Sequence, residues 1–114
     1  MALPARLKQD HFKPKPRLRS TAHRDWVRGH YCSVPGCQLM PIEVAHVRTA
    51  ATAGVGLKSS DAFTLSLCRE HHAEQHQAGQ QTFEARHGFR MIDKAREFFR
   101  ASPHRTKLDD PFNG

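Results

Sequence analysis

Four cysteine and histidine side chains able to ligate a metal lie in one short run, Cys68-Arg69-Glu70-His71-His72-Ala73-Glu74-Gln75-His76, and Cys32, Cys37 and His46 precede it. Cys32-x4-Cys37 and Cys68-x2-His71 are each spaced so that both side chains reach a single ion. Together they form a Cys3His set, a tetrahedral zinc arrangement. Three cysteines cannot all pair with one another, so metal ligation in a reducing compartment is the better use for them. The plainer alternative is three buried cysteines and a surface histidine. Zinc would supply folding energy that a small core lacks.

His72 and His76 are four residues apart, so on a helix they share a face and can grip one further ion. His71 points ~100° away from its neighbour His72 on an ideal helix, so the two can serve different metals. A competing partition places Cys68, His72 and His76 around one zinc, but it strands His71 and leaves Cys32 and Cys37 short of a ligand. His46 is a third element of the chemistry. An imidazole can take a proton from water near neutral pH, and a metal on two histidines keeps positions open for phosphate oxygens and water. The combination suits hydrolysis of a phosphodiester. Taken alone, His46 reads as an ordinary strand histidine.

The elements that must position these groups are short. Ser20 or Thr21 can cap a helix running to about Arg28, with Trp26 and Val27 inward and Gly29 ending it. Pro35-Gly36 marks a turn between Cys32 and Cys37. Residues 42–48 alternate as a strand, with Ile42, Val44 and His46 on one face and Glu43, Ala45 and Val47 on the other. After a long loop from Thr49 to Ser60, residues 62–67 alternate again and can pair antiparallel with the first strand. A helix over 69–78 ends at Gly79. Helices over 82–87 and 91–99 read as a hairpin whose Ile92, Ala95, Phe98 and Phe99 are core. His11, His23, His30, His87 and His104 have no ligand partner at a telling spacing.

The chain has 114 residues and a net charge of +7, with Arg6, Lys8, Lys13, Lys15, Arg17, Arg19, Arg24 and Arg28 gathered near its start. A basic arm of this kind attracts polyanions, nucleic acid above all, although a solvated tail is the bland reading. Lys13-Pro14-Lys15-Pro16 favours extended backbone. No run approaches the ~20 apolar residues of a membrane span, and no signal peptide is visible. The expected organisation is a basic, flexible arm over 1–23, a domain over 24–100 and a flexible tail over 101–114.

Over about residues 24–100 the chain resembles the HNH endonucleases, the ββα-metal family. The match lies in Glu43-Val44-Ala45-His46 and in Leu67-Cys68-x2-His71-His72-x3-His76. It is most similar to small prophage-type HNH proteins that include recombination-associated nucleases, whose loop reads like Gly54-Val55-Gly56-Leu57-Lys58-Ser59-Ser60-Asp61. The resemblance implies an α+β, zinc-stabilised ββα-metal domain with flanking helices, bacterial or phage-encoded and cytoplasmic. It implies that His46 is the general base, that His72 and His76 hold Mg2+ or another divalent ion, and that Cys32, Cys37, Cys68 and His71 hold structural Zn2+. Ala45 stands where many members carry a metal ligand. The usual Asn of the second strand is absent, and Asp61 is the candidate substitute. Asp61 also fits as a plain turn residue before that strand. Arg48, Lys58 and Arg69 are candidate phosphate contacts.

The expected function is therefore a metal-dependent DNA endonuclease acting on DNA, including branched or single-stranded forms. Two other classes fit the sequence: a zinc-stabilised DNA-binding module with a decayed site, and a structural zinc protein that binds another protein through its C-terminal helices.

Overall fold

The computed structural model describes residues 3–5, 17–49 and 59–112. Helix α1 spans Thr21–Arg28. Its N-cap is Ser20, whose hydroxyl accepts the amide of His23 at 3.2 Å, and it ends at Gly29. His23 and Val27 are four residues apart and both buried, so they form the inward face of α1. Trp26 is half-buried and meets the rings of His30 and Phe98 edge to face.

Strand β1, Ile42–His46, pairs antiparallel with β2, Thr64–Cys68, with Ile42 opposite Cys68 and His46 opposite Thr64. The amide of Val47 donating to the carbonyl of Phe63 at 2.8 Å carries the pairing one step further. Alternation sends Ala45, Val47, Leu65 and Leu67 to one face, where they join Phe83, Met91 and Ala95 in the core. Burying Leu65, Leu67 or Phe83 contributes about 1.5–3 kcal/mol apiece. Strand β2 is buried along its whole length, because α1, α2 and the last long helix all lie against it.

Helix α2, Arg69–Ala78, follows β2 directly. Gly79, at φ +88°, ends it and opens α3, Gln80–His87; Gly88, at φ +70°, ends α3. Helix α4 spans Met91–Ala101. The expected hairpin of the last two helices is not the dominant packing, since α3 lies chiefly on α2 and α4 on β2. The reason is in their apolar residues: Met91, Ala95 and Phe99 give α4 a single buried stripe aimed at the sheet. The result is a small α+β fold with a two-stranded sheet and four α-helices among the described residues.

Both ends depart from the expected boundaries. Arg17 binds Asp109 through its backbone amide and its guanidinium, each at 3.0 Å, and the carbonyl of Leu18 accepts the amide of Asp61. Residues 17–23 therefore belong to the folded body rather than to an arm; residues 6–16 lie outside the described residues. The expected flexible tail is also packed where it is described. Leu108 is 3% exposed, and the ring of Phe112 meets Phe63 edge to face and Phe99 at a tilt, because the two apolar side chains pack beside Phe99 of α4. No helix among the described residues is long and apolar enough to cross a membrane.

Candidate functional site

The Cys-His set assembles. Cys32 follows α1, Cys37 closes a turn, Cys68 ends β2 and His71 sits in the first turn of α2. The turn needs Gly36, at φ +77°, and is locked by the amide of Cys37 donating to the carbonyl of Val34. The amide of Ser33 donating to Ser66 ties this knuckle to β2. Nδ1 of His71 lies 3.4 Å from Cys32 Sγ and 3.3 Å from Cys68 Sγ, and the sulfurs of Cys37 and Cys68 are 3.9 Å apart. A tetrahedral ion bound ~2.3 Å from sulfur and ~2.0 Å from nitrogen spaces its ligands about 3.5–3.8 Å apart. The four residues could thus hold one metal ion, their ligand atoms all lying within 4.8 Å of one another. Burial pushes the Cys32 thiol up to about 11.

A second group, His71, Glu74 and His87, has ligand atoms within the same limit. Here Glu74 is already satisfied. His87 Nε2 lies 2.9 Å from its Oε1 and Arg86 lies 3.2 Å from its Oε2, and the His87 hydrogen bond chiefly holds its carboxyl below the usual range. This group reads as a polar buttress beside His71. Sequence spacing missed His87 because its partner is on another helix.

His72 and His76 meet as the i, i+4 spacing requires, with their Nε2 atoms 3.1 Å apart. His72 Nδ1 lies 2.8 Å from Oε1 of Glu43, whose Oε2 is 3.5 Å from Arg69. The bond from His72 chiefly holds the Glu43 carboxyl below its ordinary range. Glu43 was missed as a site residue. Its signal was an acid on the strand face that also carries Ala45 and Val47, where an apolar residue would be expected.

Nε2 of His46 lies 2.9 Å from Oδ1 of Asp61. Asp61 is fully buried and its other oxygen accepts the amide of Ser20 at 2.8 Å, with Arg19 and Arg24 at 3.5 and 3.6 Å. The His46 side chain remains 40% exposed and borders a groove of about 420 Å³ between α1 and β1, whose lining includes Thr21, Arg24, Arg28, Glu43 and Val44. His46 does not join His72 and His76 in a group of three ligand atoms among the described residues. Alternation along β1 accounts for this: His46 and Glu43 lie on opposite faces, and it is Glu43 that reaches His72.

Of the expected phosphate contacts, Arg69 is paired with Glu43 and still largely exposed, and Arg48 is exposed with its backbone amide bonded to Gln80. Lys58 lies outside the described residues. Arg24 and Arg28, unmarked beyond their part in the basic N-terminal charge, line the groove because they are four residues apart on α1.

Neither a search of curated proteins nor a search of solved structures finds a match. A family model described as "Protein of unknown function (DUF968)" matches residues 9–102, a span that holds every element from α1 to α4, and the chain belongs to that family.

Proposed function

We propose that this chain is a DNA endonuclease of the HNH, ββα-metal type that hydrolyses phosphodiester bonds, with zinc in its Cys3His site. The observation that carries the reading is the pairing of His46 with buried Asp61 at the mouth of a groove lined by arginines. A carboxylate can only accept, so Nε2 of His46 donates to Asp61, and the neutral ring carries its lone pair on Nδ1. That nitrogen is the atom to take a proton from an attacking water. Arg24 and Arg28 line the same groove and offer guanidinium groups to phosphate oxygens. They carry no base information, which favours recognition of DNA shape over sequence.

His72 and His76 are the residues to hold a divalent cation such as Mg2+. Bound there, the cation would stabilise charge on phosphate and on the leaving oxygen. Cys68 unites the two halves: it is the last residue of β2, the N-cap of α2 and a ligand of the zinc set.

One observation favours a second reading, a zinc-stabilised DNA-binding module without catalysis. Ala45 is fully buried and offers no ligand, and no third ligand joins His72 and His76 among the described residues. Incubating the protein with supercoiled, linear and branched DNA, with Mg2+ or Mn2+, separates the two. The nuclease reading expects nicking that falls about 10²–10⁴-fold in His46→Ala. DNA binding without nicking under any metal would establish the module instead.

A further inference from the structure

We infer that Glu43 is a positioning residue that sets the tautomer of His72 and so aims the Nε2 atoms of His72 and His76 at one divalent cation. The inference rests on the reading of this histidine pair as a metal site, and it adds a residue that ligand spacing does not reveal.

Three distances support it. Oε1 of Glu43 lies 2.8 Å from Nδ1 of His72. A carboxylate has no proton to give, so the hydrogen sits on Nδ1 and a neutral His72 presents a lone pair at Nε2. The Nε2 atoms of His72 and His76 are 3.1 Å apart. Two imidazole nitrogens bound to one ion at ~2.1 Å, at angles between octahedral and tetrahedral, stand about 3.0–3.4 Å apart. The pair is thus already set at ligand spacing. Arg69, 3.5 Å from the other carboxylate oxygen, keeps Glu43 facing α2.

Without Glu43 the ring of His72 can place its hydrogen on Nε2 instead. Nε2 of His72 then donates its hydrogen to Nε2 of His76, has no lone pair to offer, and the cation loses a ligand. Ala45 cannot take over the task, since it shares the strand face of Glu43 but has no polar atom. Glu43 itself serves through His72, because its two oxygens are engaged by His72 and Arg69 and it joins no three-ligand group among the described residues.

The test uses the full chain with its tightly held ion retained. Two quantities are read: the affinity for added Mn2+ by electron paramagnetic resonance, and the tautomer of His72 by ring ¹⁵N chemical shifts before Mn2+ is added. The parent protein is expected to show the Nδ1–H form. Glu43→Ala is expected to weaken Mn2+ binding about 10–100-fold and to lose the Nδ1–H preference, with its melting temperature and tightly held ion unchanged. Glu43→Gln, whose amide oxygen can accept the same hydrogen, is expected to recover the tautomer and part of the affinity.

An Nε2–H form in the parent would overturn the inference. So would unchanged Mn2+ affinity in Glu43→Ala, or no Mn2+ binding by the parent. The nuclease reading fails separately: Mn2+ binding that depends on Glu43, in a protein that nicks no DNA, leaves the positioning role standing and removes the endonuclease. Nicking that Glu43→Ala leaves intact, with intact Mn2+ affinity, does the reverse.

Discussion

His46 and Asp61 face each other at the loop-connected end of the β1–β2 hairpin, with Nε2 and Oδ1 2.9 Å apart; the acid is fully buried and the imidazole is half open to the groove. The same carboxylate receives the amide of Ser20, the residue that caps α1. One buried acid therefore fixes both the candidate base and the start of the helix that forms the groove's other wall. Asp61→Ala is expected to lower stability by about 1–3 kcal/mol, since it orphans the Ser20 amide. It should also cut nicking about 10–100-fold by freeing the His46 ring. Asp61→Asn keeps an acceptor and should lose less stability than it loses activity. Urea melts and single-turnover nicking assays measure the two losses.

Metal analysis of the purified protein should find about one tightly held zinc per chain, the count for a single Cys3His site. Cys37→Ser and His71→Ala should each lose it and melt at lower temperature, and a strong chelator should do the same to the parent. A Cys37→Ser protein that keeps both zinc and fold would contradict the site.

His23 gives the fold a pH dependence. It is fully buried with Nδ1 2.9 Å from the hydroxyl of Ser102, and burial is the main cause of a folded-state pKa below the ordinary 6.5. The folded chain binds fewer protons here than the unfolded chain, so stability rises with pH across this interval. This contribution is fully present above about pH 6.5 and is lost as pH falls through the folded-state value. Glu43, Glu74 and Asp109, whose carboxyls are depressed, act in the same direction but below about pH 4.5. Urea midpoints measured from pH 5 to 8 should fall on the acid side for the parent. The fall should flatten in His23→Phe.

Leu108 anchors the C-terminal segment. Leu108→Ala is expected to cost about 2–4 kcal/mol, as for other buried leucines, because it empties the space beside Ala62 and Phe99. A truly flexible tail would give no change in chemical denaturation.

Arg28 lines the groove and pairs only with Asp25 on its own helix among the described contacts. Arg28→Ala should weaken DNA binding about equally for all sequences and reduce the salt dependence of the binding constant by about one unit of slope. An unchanged slope, measured by fluorescence anisotropy across a salt series, would place the DNA elsewhere.

Much of the fold could be read from local pattern. Ser20, Gly29, Gly79 and Gly88 punctuate helices as their chemistry predicts, and alternation in residues 42–48 and 62–67 gave both strand faces. The Cys3His grouping was legible because each ligand pair is close in sequence. Glu43, Arg24 and His87 were not, since each gains its role from a partner on another element. The packing of Leu108 and Phe112 was hidden by the polar residues around them, which mask a two-residue apolar anchor. The His46–Asp61 bond was open to reading only as one role among several for Asp61, and the antiparallel register brings the two together.

Cys68 has a further meaning at the junction of strand and helix. Its sulfur accepts the amide of His71, so it caps the helix as well as standing among the ligands. On the zinc reading, oxidation of this sulfur or theft of its ion would also fray the first turn of α2, the turn that carries His72. If the protein is also the proposed nuclease, loss of the structural ion would then disarm it, and the thiol chemistry of its surroundings would act as a safety catch on the cutting of DNA.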